Sequence, residues 1–322
     1  MVVPIHGTEP YVERCLRSLM EQSMAELEIL CVDDASPDRS VVIVRHLARE
    51  DARIRLLRHG KNRGLGGARN TGIAAARGTS VTGVDSDDFV RPTMMEQLWR
   101  ASADGSIDVV ACGMAVLDAQ GELRFNVNQP EQTINNEVHP IDCLQLLNPS
   151  FCNKLWRKEL FSENGILFPE NQYFEDLATT PRLLHFARHI RVISDPLYCY
   201  VQRDGSITNS TSPKHIFDHF RSFDILAEFL KEQGLMEKYS QAFQSMIGKS
   251  LHYHSRSIGS SNTSERNSTP NDSDASLRYM LLLKLAYLAH ADKISNLESA
   301  SLQELLLSAT TAQDLAHLLP TH

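Results

Sequence analysis

Between Met1 and Arg100 the chain alternates short apolar runs with stretches of helical period, and this alternation limits it to a layered α/β fold. Met1–Pro4 reads as a short strand. Val12, Cys15, Leu16, Leu19 and Met20 then recur at helical spacing, with Thr8 as the expected cap and Pro10 in the first turn. Leu27–Val32 is an apolar strand ending at Asp33-Asp34. A helix is expected over Ser40–Arg49, a third strand over Ile54–Leu57, a helix over Ala68–Ala76 closed by Gly78, and a fourth strand over Ser80–Val84. This order predicts a Rossmann-like, mixed but mostly parallel sheet with helices on both faces, and ligands bound beyond the carboxyl ends of its strands.

Two acidic clusters fall at those ends, Asp33-Asp34 and Asp85-Ser86-Asp87-Asp88, and they are expected to share one crevice. Carboxylates crowded this closely repel one another, so the second cluster calls for a cation, most simply a divalent metal held by oxygen ligands. Plainer roles stay open: an Asp-rich turn before the helix that starts near Pro92, and a cap from Asp34 for the helix after Pro37.

Composition narrows the function. The 322 residues are 42% hydrophobic and 22% charged, enough for a sizeable core in one large domain or two moderate ones. A net charge of −8 argues against a general nucleic-acid binder. The chain has neither an apolar run of about 18 residues nor a signal-type amino terminus, so a cytoplasmic location is expected. Cysteines 15, 31, 112, 143, 152 and 199 are scattered without a Cys-x-x-Cys pair, which predicts reduced, buried thiols.

Farther on, Asp108–Met114 and Leu123–Val127 read as strands and Ile141–Leu147 as a short helix. The aromatic-rich stretches Phe151–Trp156 and Phe168–Leu177 are expected to cover the crevice. From Pro213 the period is helical, with Phe217, Phe220, Ile225, Leu226, Phe229 and Leu230 on an apolar face. Ser255–Ser276 is polar and reads as a mobile surface loop before helices over Leu277–Leu319. The expected division is therefore a catalytic domain over 1–212 and a helical region over 213–322. Its apolar faces suit a second copy of the chain or peripheral contact with the inner face of a membrane.

Gly64-Leu65-Gly66-Gly67 before a helix invites a dinucleotide-binding reading, with Asp85 at the appropriate distance. The third glycine position holds Arg69, however, and the turn follows the third strand rather than the first. His185 with His189 and His215 with His219 stand four apart, but neither pair has an evident third zinc ligand.

Several segments together resemble glycosyltransferase family 2: Val2-Val3-Pro4-Ile5-His6, Ile29 to Ser36, Asn62-Arg63-Gly64 with Ala68-Arg69-Asn70-Thr71-Gly72, and Val84 to Asp88. Asn153-Lys154-Leu155-Trp156, Phe168-Pro169-Glu170, Tyr173 to Leu177, and Pro196-Leu197-Tyr198 through Arg203 to Thr208 resemble its bacterial branch for surface polysaccharides and teichoic acids. The resemblance covers about residues 1 to 210 and implies the GT-A fold. It also implies that Asp85 and Asp87 form the family's metal element, with Asp87 the direct ligand of Mg²⁺ or Mn²⁺ and Ser86 beside the nucleotide sugar. Asp34 would recognise the base, Pro4 and His6 would line the nucleoside pocket, and Asn62 and Arg69 would lie beside the nucleotide. Asp176 would be the catalytic base with Glu175 next to it, while Lys154, Arg203 and Ser206 would approach the diphosphate or the acceptor.

The implied activity is inverting transfer from a nucleotide-diphosphate sugar, UDP-linked by the presence of Asp34, to a hydroxyl of a glycan, polyol-phosphate or lipid-linked acceptor. Two departures accompany the resemblance. His6-Gly7 replaces the common Tyr-Asn pair, and the first strand begins at Met1, so a shortened amino terminus is expected. Three other readings remain: a non-catalytic nucleotide-sugar-binding scaffold, a nucleotidyltransferase, and a dinucleotide-dependent dehydrogenase.

Overall fold

Strand β1 (Val2–Ile5) is buried along its whole length, and its alternation divides the core. Val3 and Ile5 belong to one apolar cluster with Val12, Leu16 and Leu19, whereas Val2 belongs to a second with Ala68 and Ile73. A strand covered on both faces reads as an unbroken apolar run, which explains the lack of polar alternation here. β1 pairs in parallel with β2 (Ile29–Asp33), Val2 opposite Leu30, and β2 pairs in parallel with β3 (Ile54–Arg58). This computed structural model describes residues 1–128, 131–135, 147–203, 213–239 and 243.

The helices differ from expectation in their first turns. α1 (Val12–Met20) begins after Thr8, whose carbonyl accepts the Tyr11 and Val12 N–H groups at 2.9 and 3.0 Å. The Thr8 hydroxyl instead meets the Ser86 hydroxyl at 3.1 Å. The carboxylate at the head of α2 (Ser40–Glu50) is Asp38, which accepts from the Ser40 N–H at 3.1 Å and from the Ser40 hydroxyl at 2.6 Å. α3 (Gly64–Ala75) starts a full turn before the expected Ala68, so its glycines are helical rather than part of a loop. They pay for poor helix propensity with close packing: a Cβ at Gly66 would run into the Pro169 carbonyl, and one at Gly72 into Val2.

The expected fourth strand divides between two partners. β4 (Ser80–Val81) pairs antiparallel with β9 (Lys154–Arg157), and the next residues cross to β1. There the Val2 N–H donates to Thr82 at 2.8 Å, the Val84 N–H donates to Val2 at 2.9 Å, and Gly83 stands opposite Val2. Thus the three-stranded sheet β1-β2-β3 abuts a seven-stranded one.

The larger sheet also contains β5 (Phe89–Val90), β6 (Val109–Leu117), β7 (Leu123–Val127), β8 (Gln132–Asn135) and β10 (His189–Val201). Its order is β4-β9-β6-β10-β5, with β7 on β6 and β8 on β10. β6 and β10 run parallel, and the remaining pairs are antiparallel. α4 (Met94–Ala101) contributes Met94 and Leu98 to the first cluster; α5 (Glu159–Glu163) and α6 (Glu175–Phe186) contribute Phe161, Leu183 and Leu184 to the second.

The chain divides into two compact units, Met1–Ser206 and Ile207–His322. In the second, α7 (Pro213–Glu232) buries Phe223, Leu226, Phe229 and Leu230. The expected loop over 255–276, the helices over 277–319, Ser206, and the helix over 141–147 except Leu147 lie outside the described residues. Cys15, Cys31, Cys112, Cys152 and Cys199 are buried and free. No helix among the described residues is long and apolar enough to cross a membrane.

Candidate active site

The carboxyl ends of β1 and β2 bring the first group of polar residues together. Asp34 is buried behind β2, and its backbone N–H donates to the Ile5 carbonyl at 2.9 Å. Its Oδ1 lies 2.6 Å from His59 Nδ1 and accepts the Arg63 N–H at 2.8 Å. Pro4 is buried within β1, and the exposed His6 brings Nδ1 to 3.0 Å from the Asp34 carbonyl. Asn62 lies against that imidazole, Nδ2 3.1 Å from Nε2, while its Oδ1 accepts the Gly64 N–H at 2.8 Å. His6, Asn62 and Asp34 therefore form one polar wall.

The acidic turn sits beside this wall. Asp88 is buried and works inside the fold: it accepts from the Tyr198 hydroxyl at 2.6 Å and from the Val201 N–H at 2.8 Å. The same tyrosine oxygen accepts the Asp85 N–H at 3.2 Å, so one side chain of β10 shapes the turn. Ser86 is buried against Thr8. Asp85 and Asp87 stay partly accessible, with side-chain exposures of 31% and 23%. Burial and the nearby Asp85 carboxylate raise Asp87 above the ordinary carboxylate range, and Arg203 pulls the other way. Arg14 fixes the backbone, donating to the Asp87 carbonyl at 2.9 Å.

This oxygen-only pair, with its like charges crowded together, fits a hard divalent cation. Among the described residues no cluster of three or more His, Cys, Asp or Glu forms an all-protein cage. A two-carboxylate set suits Mg²⁺ or Mn²⁺, which fill their remaining positions with water and substrate phosphates.

Arg69 ties this turn to the start of α6. Its guanidinium donates to Asp85 Oδ1 at 2.9 Å and pairs with Glu175 Oε1. It is buried against Phe151 and Phe168, 5.4 and 5.5 Å from their ring centroids. Burial raises the pKa of both Glu175 and Asp176, against the pull of Arg69. Asp176 stands half-buried in the first turn of α6, its Oδ1 accepting the Leu177 N–H at 2.8 Å. Ahead of it, Asn171 and Phe174 adopt left-handed backbone with φ of 54° and 57°, as does Ala35 (54°) after Asp34. Non-glycine residues held there cost on the order of 1–3 kcal/mol each, and such strain clusters at functional sites.

Two expected positions are corrected. Lys154 does not reach toward a ligand: it is fully buried, and Nζ donates at 2.7 Å to each of the Asn148 carbonyl, the Ser150 carbonyl and Asn153 Oδ1. Burial lowers its pKa to about 8. Arg69, expected beside the nucleotide, is a buried strut that pairs with Asp85 and Glu175. Gly66 and Gly64 are filled by Pro169 and Asn171, so the glycine run is not an open phosphate cradle and the dinucleotide reading loses its basis. His59 and Arg14 escaped the sequence reading because their partners are distant in the chain.

Residues 1–165 match the model of Glycosyl transferase family 2. The chain belongs to this family. The glycosyltransferase is 32% identical over 254 residues to the putative glycosyltransferase EpsH of Bacillus subtilis, covering 77% of this chain and 73% of that one. Its fold resembles that of S. aureus TarS 1-349 in complex with UDP-GlcNAc, with a TM-score of 0.61, 23% identity, and coverage of 91% and 87% of the two chains. The mannosyltransferase PcManGT of Pyrobaculum calidifontis, in complex with GDP-Man and Mn²⁺, shares it with a TM-score of 0.54, 18% identity, and coverage of 90% and 85%. The glycosyltransferase thus has a GT-A fold.

Proposed function

We propose that the enzyme transfers a hexosyl or N-acetylhexosaminyl group, with inversion, from a UDP-sugar to a hydroxyl of a glycan, polyol-phosphate or lipid-linked acceptor. The observation that carries this reading is the double pairing of Arg69 with Asp85 and Glu175, which joins the donor-side acid to the turn bearing Asp176. A scaffold that only bound nucleotide would have no use for a base tied through Arg69 to the acidic turn.

In this reading Asp34, His6, Pro4 and Asn62 receive the nucleoside, and Asp85 and Asp87 face the diphosphate, with Ser86 beside the nucleotide sugar through its place in the turn between them. Asp85 and Asp87 hold Mg²⁺ or Mn²⁺, which when bound supplies positive charge for the leaving diphosphate. Arg203 adds positive charge at the leaving diphosphate, and Ser206 approaches the diphosphate or the acceptor. Asp176 accepts the proton of the acceptor hydroxyl as that oxygen attacks the anomeric carbon from the face opposite the diphosphate. A raised pKa makes Asp176 a stronger base than an exposed aspartate. Glu175, engaged by Arg69, orients the turn. Catalysis is assigned to residues 1–212, and the region from 213 onward to acceptor use, a second copy of the chain or the membrane face.

TarS with UDP-GlcNAc and PcManGT with GDP-Man and Mn²⁺ support a nucleotide-sugar donor with a metal, and the carboxylate of Asp34 favours uracil. The test is a melting-temperature screen of nucleoside diphosphates and their sugars, with and without Mn²⁺. A ligand at about 100 times its Kd adds roughly 2.7 kcal/mol of stability. Uridine diphosphate with Mn²⁺ should give the largest shift. A larger shift with guanosine or thymidine ligands would overturn the donor class.

A further inference from the structure

We propose that His59 is a positioning residue for nucleobase recognition: it locks the Asp34 carboxylate so that its second oxygen is left to accept the imide N–H of uracil. The inference rests on the reading of Asp34 as the residue that meets the donor's base.

His59 follows β3, where its backbone N–H donates to the Asp33 carbonyl at 2.9 Å. Its side chain is only 7% exposed, and both ring nitrogens are engaged: Nδ1 lies 2.6 Å from Asp34 Oδ1 and Nε2 lies 2.8 Å from Thr71 Oγ1. An ionised carboxylate can only accept, so Nδ1 carries the proton. In the neutral ring Nε2 accepts the Thr71 hydroxyl proton, and that hydroxyl oxygen faces an Arg63 guanidinium N–H at 3.4 Å. A neutral ring of this tautomer uses every proton in the chain Arg63, Thr71, His59, Asp34. The tautomer is assigned from this network.

The load on Asp34 is one-sided. His59 and the Arg63 N–H both donate to Oδ1, and among the described residues no group donates to Oδ2. Turning the carboxylate plane out of this orientation would break both bonds. Oδ2 is not among the fully buried unpartnered atoms, so in a side chain only 4% exposed it is the oxygen that an incoming donor can reach. Uracil brings a donor at N3. Cytosine brings a lone pair there, so the fixed oxygen rejects it. His59 would therefore govern discrimination between bases and leave the chemistry of transfer to other groups.

The test compares affinities of the full-length chain for UDP and for N3-methyl-UDP, which lacks the imide N–H, by isothermal titration. The unaltered protein should prefer UDP by about tenfold, the effect of one lost hydrogen bond to a charged group. His59→Leu should erase most of that preference and raise donor KM more than it lowers kcat. His59→Asn, which keeps an N–H near the Nδ1 position, should restore a good part of it. Thr71→Val, which removes the hydroxyl that orients the ring, carries the same measurement should the leucine variant fail to fold. If the variants lower affinity for both ligands equally and leave the ratio unchanged, His59 is merely structural and the proposal is overturned. Lack of UDP binding by the unaltered protein would instead refute the donor reading. UDP binding without preference would refute the role of Asp34, and in both cases the proposal goes with it.

Discussion

Arg203 lays its guanidinium across the Asp87 carboxylate, with Nε at 2.8 Å and Nη2 at 2.7 Å from Oδ2, and rests 4.9 Å above the Tyr11 ring. A side chain of this protein thus supplies, at the acidic turn, the positive charge that a divalent cation would bring. Arginine and cation should compete for the same oxygen.

Arg203→Ala is accordingly expected to strengthen Mn²⁺ binding by the nucleotide-free protein, by about fivefold if the pair is worth roughly 1 kcal/mol. The same variant should bind uridine diphosphate more weakly, since the diphosphate loses a cationic partner. Calorimetric titration reads both. Unchanged Mn²⁺ affinity would mean that the pair and the cation do not share Asp87.

Asp176→Asn should keep donor affinity and lose turnover by roughly 10²–10⁴, because an amide of nearly the same shape cannot take the proton. In the parent enzyme kcat/KM should rise with pH along a limb lying above the ordinary aspartate value of 3.8. A folded-state pKa raised above the unfolded one means that the folded chain holds more protons in the window between the two. Stability therefore falls as pH rises through that window. The asparagine variant escapes this loss and should melt higher than the parent at neutral pH, with the difference fading below the unfolded pKa. Near-normal turnover in this variant would move the base to another residue.

Arg69→Met should cost about 3–5 kcal/mol, because it strands Asp85 and Glu175 in a poorly solvated site. Adding Glu175→Gln should recover part of the loss, and Arg69→Lys should not substitute for the planar fork that reaches both acids. Denaturant midpoints measure all three. A small effect for the methionine variant would show that solvent already screens the pair.

Lys154→Met removes three donors from the Asn148 and Ser150 carbonyls and Asn153 Oδ1. A loss of about 1–3 kcal/mol is expected from the acceptors left unpaired, with nucleotide affinity retained. A selective loss of diphosphate binding in a stable variant would return Lys154 to the ligand.

The sequence made the donor half legible because its signals are local. Apolar runs ending in Asp33-Asp34 and Asp85 to Asp88 mark strand ends without reference to anything distant. The same reasoning failed where tertiary contacts decide the structure. Gly64 to Gly67 read as a turn ahead of the helix, yet Asn171 and Pro169 pack so closely on Gly64 and Gly66 of α3 that only glycine fits there. Lys154 and Arg69 read as ligand contacts, whereas Lys154 is held by the neighbouring Asn148, Ser150 and Asn153 and Arg69 by acids of the acidic turn and of another helix. Ser80 to Val84 read as one strand, since periodicity carries no information about a change of partner at Thr82.

That change of partner has a consequence for the order of assembly. The contacts joining the two sheets run from Val2 to Thr82, Gly83 and Val84, whereas β1, β2 and β3 pair within the first 58 residues. Closing the longer loop demands more chain entropy before any contact compensates for it. The nucleoside-binding wall can therefore take shape while the acidic turn is still seeking its place, and that turn is complete only when Tyr198 and Arg203, farther still along the chain, reach Asp88 and Asp87.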